Sequence, residues 1–141
     1  MATYYADSVN GNDANPGTSP GVGNAKATAS AAVALATGVG DIVEFAAGTY
    51  PLTANISISN INGLTLRSAA GLDNTDVEFT GAFQFATSGG VRLRLVNLCF
   101  KNYTSTTGAV TTNNAAAVIV YEDCVLDGTS SAASRAFSSN C

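Results

Sequence analysis

Charge is what this chain lacks most. Asp, Glu, Lys and Arg make up 11% of its 141 residues, against roughly 25% in an average globular domain. The net charge of −4 gives no electrostatic footprint for nucleic acid or for an anionic membrane. Histidine is absent altogether, which excludes chemistry that turns on an imidazole. Only three cysteines occur, Cys99, Cys124 and Cys141; an odd count without tight spacing argues against a disulfide framework and against a zinc site. No apolar run approaches the roughly 20 residues of a membrane helix. The opening "MATYYADSVNGND" has neither the basic nor the apolar region of a secretory leader, so the chain reads as made in the cytoplasm.

What is present is 46% apolar residues and a surface that must be built from Ser, Thr, Asn, Gly and Ala. Such a surface is poorly defended against association, because solubility leans on charge. The length fits one domain, residues 1–141, able to bury roughly 68–70% of its unfolded surface. Within it, residues 1–40 read as a strand ("TYYA"), a turn-rich loop and a cap helix, and 41–141 as strands. The loop "DSVNGNDANPGTSPGVG" is dense in Asn, Gly and Pro. Asp7, Asn12 and Asp13 could hold Ca²⁺ there, but Asx-turn chemistry is the commoner use of such residues. A helix is predicted over residues 29–37, with Thr28 as N-cap, Gly38 as C′ residue, and Ala29, Ala32, Val33 and Ala36 on one apolar stripe.

From residue 41 onward the pattern predicts only short strands separated by turn residues. The segments "LRLVNLCFKNY" and "IVYEDCVLDGT" superpose at an offset of 26 residues. That offset places Leu93 on Ile119, Leu95 on Tyr121, Asn97 on Asp123, Leu98 on Cys124 and Phe100 on Leu126, keeping one apolar set on one face. It turns Cys124 inward and Cys99 outward. Upstream, "FQF" at 83–85 falls one offset before "AVT" at 109–111, and "DVEFT" takes the part of "NLCFK". A strand-and-turn repeat of this length is the signature of a solenoid.

At these residues the chain resembles the right-handed parallel β-helix proteins of the pectate-lyase-like group. "YYADSVNGNDANPGTSPG", the Ala-rich helix and "GDIVEFAAGTY" are similar to that group's entry segment, and "NLCFKN" and "EDCVLDG" to its rung motif. The resemblance covers essentially the whole chain. It implies an all-β fold: a short right-handed parallel β-helix (solenoid) with one N-terminal capping α-helix and about four coils. On this reading Asp41 lies beneath the cap helix, Ile42, Val43 and Phe45 start the stack, and Gly48-Thr49-Tyr50 turns toward the next face. Val33, Ile42, Phe45, Leu95, Phe100 and Cys124 are the expected cap and core positions.

The fold does not fix the activity. Four rungs at roughly 4.8 Å give a wall only about 20 Å tall, short for a polysaccharide cleft. "NTD" at Asn74, Thr75 and Asp76 resembles the first element of the polygalacturonase signature, but the further acids and the histidine of that signature are missing, and glycoside hydrolysis requires a carboxylate pair. Arg92 and Arg94, the bases a lyase would use, are expected outward with no acidic cluster beside them. Tyr4, Tyr5, Tyr50, Tyr103 and Tyr121 could stack on sugars, although packing is the commoner role.

These readings converge on a non-enzymatic structural or assembly protein without a cofactor. The expectation is a bacteriophage virion component, a capsid decoration or a tail or fibre part, made in the host cytoplasm. Its partners are then further copies, in a trimer or filament, or another virion protein. An extracellular filament subunit is the alternative within the class. A carbohydrate-binding module and a truncated β-helix lyase or hydrolase are the alternatives outside it. At the end "SRAFSSNC", the 26-residue offset carries Arg135 onto Ala109 and Phe137 onto Thr111. With one charge and no proline after residue 128, this rung is expected to be covered by a neighbouring chain, with Arg135 and Phe137 at the contact.

Overall fold

The computed structural model describes residues 1–59, 62–82, 84–103, 110–112, 116–127 and 137–139. In chain order these form β1 (Thr3–Ala6), α1 (Ala29–Val33), β2 (Ile42–Phe45), β3 (Gly48–Leu52), β4 (Ile56–Ser59), β5 (Asn62–Ser68) and β6 (Val77–Gly81). There follow β7 (Phe85–Ser88), β8 (Arg92–Val96), β9 (Cys99–Tyr103), β10 (Val110–Thr112), β11 (Val118–Glu122), β12 (Val125–Asp127) and β13 (Phe137–Ser139).

Parallel strands cannot be joined by a tight hairpin; the chain must travel before it returns to the same sheet. Here it travels through two other strands. The first sheet runs β1-β2-β5-β8-β11, the second β3-β6-β9-β12, and the third β4-β7-β10-β13. From β2 onward the chain therefore visits the three sheets in rotation, and each registered pair among the described residues is parallel. The protein is all-β and built of parallel sheets, an architecture compatible with a parallel β-helix.

The side-chain alternation of each strand turns one apolar set toward a shared interior. Register then stacks like on like: Val43, Leu66, Leu95 and Tyr121 in the first sheet, Tyr50, Phe79, Phe100 and Leu126 in the second, Ile56, Phe85 and Val110 in the third. All belong to one hydrophobic cluster, with Tyr121 and Leu126 at its partly buried margin. The expected 26-residue offset holds between β8 and β11 and between β9 and β12. Elsewhere the spacing changes, to 23 residues from Ile42 to Thr65 and 29 from Leu64 to Leu93. Loops between strands vary in length without disturbing the ladders, since lengthening a surface loop costs little.

Several expectations are corrected. Phe85 pairs with Val110, and Val110 with Phe137. The third sheet is thus one residue out of the 26-residue register, and Phe137 does not follow Thr111. β7 spans Phe85–Ser88, and residue 83, the expected start of that strand, lies outside the described residues. Gly48-Thr49-Tyr50 is not a turn but the start of β3; the chain turns at Ala46 and Ala47. Ile42 is not a core residue. Val43 and Phe45 take the inward positions of β2, so strict alternation leaves Ile42 half-buried on the outer side.

The helix is also shorter than expected. Thr28 caps it, its Oγ1 accepting from the Ala31 N–H at 3.2 Å, but α1 ends with Ala34 as C-cap rather than running to Thr37 and Gly38. Beyond it the chain tightens, Leu35 N–H donating to Ala32 and Ala36 N–H to Val33, the i to i+3 pattern common at helix ends. The expected stripe survives this change: Ala29, Ala32, Val33 and Ala36 are all buried in the cluster. The small side chains let α1 lie close against β1, β2 and β3. Val33, Phe45, Leu95 and Phe100 stand in the core as expected.

Candidate functional site

The acidic residues of the N-terminal loop are spent on the backbone. Asp7 Oδ1 accepts from the Val9 and Asn10 N–H groups at 3.0 and 2.9 Å. Asn12 Oδ1 accepts from the Ala14 N–H at 2.9 Å, an Asx turn. Asp13 Oδ1 accepts from the Ala27 and Thr28 N–H groups, both at 2.9 Å, and its Oδ2 from the Thr28 hydroxyl. Asp13 thus fastens the loop to the start of α1. Among the described residues no group of three or more His, Cys, Asp or Glu side chains converges as a metal site would require.

Asp41 is buried and acts as a lock. Its Oδ1 accepts from the Ala2 N–H at 2.7 Å and its Oδ2 from the Gly38 N–H at 2.8 Å, so one side chain joins the start of the chain, the end of the helical segment and the first strand of the stack. The Ala2 bond, against the opposing effect of burial, holds its carboxyl below the usual range. Tyr50, weighed above as a sugar platform, is buried instead. Its hydroxyl lies 3.0 Å from the Ala6 carbonyl and 2.9 Å from that of Ala46, with the Ser8 N–H donating to it at 3.3 Å. Burial pushes this phenol up to about 12. Asp76 closes its own turn, its Oδ2 accepting from the Asp73 N–H at 2.8 Å.

The corners between the first and second sheets are held by left-handed residues. Asn97 and Asp123 have φ of 57° and 50°, a conformation that Asn and Asp tolerate best among residues with a Cβ. They occupy equivalent turns, as the 26-residue offset expects. The Asn97 side-chain amide donates to Ser68 Oγ and to the Leu72 carbonyl, each at 2.7 Å.

The outer face of the first sheet carries two ion pairs. Arg67 binds Glu44 on the neighbouring strand, Nε at 3.0 Å and Nη2 at 2.7 Å. Arg94 grips Glu122 with both Nε and Nη2, which holds the Glu122 carboxyl below its usual range and raises the guanidinium. The Arg94 pair is a two-oxygen fork, whereas both Arg67 nitrogens converge on Glu44 Oε2 alone. Beside Arg94 lies a shallow groove of about 330 Å³ lined by Gly63, Thr65, Arg92, Leu93, Arg94, Val118 and Val120. Val118 and Val120 are 43% and 42% exposed, side by side on the outer face of β11 because Ile119 and Tyr121 take the inner one.

Arg92 and Arg94 point outward as expected, but Arg94 has an acidic partner that sequence reasoning did not assign. The signal was there: on the 26-residue offset Glu122 falls beside Arg94 once Ile119 is stacked on Leu93. The two outward valines follow from the same register. Cys124 packs against the core while half-buried, its Sγ 3.5 Å from the Leu95 carbonyl. Cys99, expected outward, is only 2% exposed; it stands in register between Glu78 and Val125, whose side chains flank it. Neither is disulfide-bonded among the described residues. Arg135 lies outside the described residues. Phe137 is described in its backbone register with Val110 alone.

Compared with known protein families, with curated proteins and with solved structures, the chain matches none.

Proposed function

We propose that this chain is a non-enzymatic structural protein, a short right-handed parallel β-helix of the pectate-lyase-like kind, whose task is to be a rigid brick in an assembly. The observation that supports this most directly is how its carboxylates are used. Asp7, Asp13, Asp41 and Asp76 accept backbone N–H groups, and Glu44 and Glu122 are paired with arginines. Groups that a hydrolase would aim at substrate are here committed to holding loops, the cap and the outer ladder. A right-handed winding is the near-universal choice for parallel crossovers.

The surface that remains is weakly charged, with an apolar pair flanked by arginines on one sheet face. Such a face suits packing against another chain. A virion component, seated on further copies of itself or on another virion protein, is the setting this reading favours: low charge and a stiff stacked core agree with it.

Native mass tests the proposal. In light scattering at increasing concentration, the protein should run above the 14.2 kDa of one chain. Val120→Asp, on the outer face, should return it to the monomer without changing its melting midpoint. A monomer at all concentrations that binds an oligosaccharide would favour the carbohydrate-binding reading. Release of reducing ends or unsaturated products from acidic polysaccharides, abolished by Asp76→Asn, would favour the enzyme.

A further inference from the structure

We propose that Asn62 is a site of spontaneous modification in the folded protein, its side-chain amide passing through a cyclic imide with Gly63 to aspartate and isoaspartate. The dipeptide Asn-Gly occurs twice, at Asn10-Gly11 and at Asn62-Gly63. Glycine after asparagine leaves the attacking backbone nitrogen unhindered, because it carries no Cβ and turns freely. The two copies are held very differently.

At the first copy both reacting groups are tied down. The Asn10 amide donates to Asp7 Oδ2 at 3.2 Å and its backbone N–H to Asp7 Oδ1 at 2.9 Å. The Gly11 N–H, which must lose its proton and swing toward the side chain, donates to the Asp7 carbonyl at 2.8 Å. The backbone there is packed so closely that a Cβ on Gly11 would stand 2.3 Å from the Lys26 carbonyl oxygen.

The second copy sits in open surroundings. Asn62 and Gly63 are both exposed. On the β8 side the register steps from Asn62 opposite Arg92 to Leu64 opposite Leu93, and on the β2 side pairing begins only at Thr65. Gly63 is the extra residue of a bulge, outside both ladders, with φ of 83°, the left-handed glycine that such bulges use. The Asn62 carbonyl accepts from the Gly40 N–H at 3.0 Å, which fixes the backbone on one side while the Asn62 side chain stands exposed.

The chemistry needs only water. The Gly63 N–H gives its proton to hydroxide, and the nitrogen attacks the Asn62 side-chain carbonyl carbon. A C–N bond forms, and the side-chain nitrogen leaves with a proton from water as ammonia. Water then adds to the resulting imide. Breaking the newly formed C–N bond yields aspartate; breaking the original peptide C–N bond yields isoaspartate, with the main chain lengthened by one carbon. Either product places a carboxylate at the register position opposite Arg92, beside the groove lined by Gly63, Arg92 and Arg94.

The experiment holds the native protein in mildly alkaline buffer, then maps its peptides by mass spectrometry and labels isoaspartate with an isoaspartyl methyltransferase. A parallel sample is kept in denaturant. In the native sample Asn62 should convert about tenfold faster than Asn10 or more, since three hydrogen bonds must break before Asn10 can react. In denaturant the two rates should approach each other. Asn62→Gln should remove the native signal while leaving the melting midpoint unchanged. Equal native rates at the two sites, or conversion of Asn62 only after unfolding, would overturn the proposal.

Discussion

Phe79 and Phe100 are register partners on neighbouring strands of the second sheet, and their rings stack with centroids 5.3 Å apart and planes at 25°. Phe45 and Phe85 meet Phe79 edge-on, at 5.1 and 5.3 Å, so rings from all three sheets close around one residue. Such pairs add to the burial of their area. Truncating Phe79 removes the centre of this cluster and leaves a cavity that stacked strands cannot easily collapse. Phe79→Ala should lower the unfolding free energy by about 3–5 kcal/mol in a denaturant titration. A midpoint close to the parent's would mean that the cluster does not carry the core.

Val33 belongs to the same interior from the other direction, through the cap. It is buried against the stack on a helix of five residues, too short to persist without tertiary contacts. Val33→Asp should cost roughly 3–5 kcal/mol, the effect of an unpaired buried charge, whereas Val120→Asp on the outer face should leave thermal stability nearly unchanged. Equal melting of the two variants would place α1 off the core.

Asp41 makes the cap sensitive to acid. Its folded carboxyl is held below the usual range, first by the Ala2 N–H and further by that of Gly38. The stabilisation is therefore present above the unfolded carboxylate value of about 4 and is lost as pH falls through the lower folded value. Asp41→Asn should be less stable than the parent at neutral pH, and the gap should narrow as pH is taken below about 4. A gap independent of pH would show that the charge on Asp41 contributes nothing.

Tyr50 gives the opposite limit. Burial first, then the charge of Asp7, raises its phenol to about 12, so the folded state favours the neutral form. That preference stabilises fully below the unfolded value of about 10 and disappears as pH rises toward about 12. Absorbance of tyrosinate should show a late-titrating phenol lost in Tyr50→Phe. At neutral pH the variant should lose about 1–3 kcal/mol, because the single phenol proton shared between the Ala6 and Ala46 carbonyls is gone and the Ser8 N–H loses its acceptor. An unchanged titration curve would assign the late phenol elsewhere; Tyr121, raised by burial as well, is the residue to examine next.

Much of this architecture is legible from local order in the chain. Alternation in "DIVEF", "VRLRL" and "VIVYE" sets which side chains face in, because the strand period is two whatever the partner. The stacking of Leu93 on Ile119 and of Phe100 on Leu126 follows from that alternation plus one offset. Thr28 announces the helix start through the chemistry of its own hydroxyl. Only the tertiary structure decides what depends on lengths between strands. The spacing is 23 residues in one coil and 29 in the next, and surface loops change length at so little cost that no residue signals it. For that reason the one-residue step that puts Phe85 beside Val110, the bulge at Gly63 and the burial of Cys99 appear only once the strands are laid side by side. The reach of Asp41 to Ala2, across 39 residues, is of the same kind: a short side chain meets a distant backbone group because the fold has already brought both to one place.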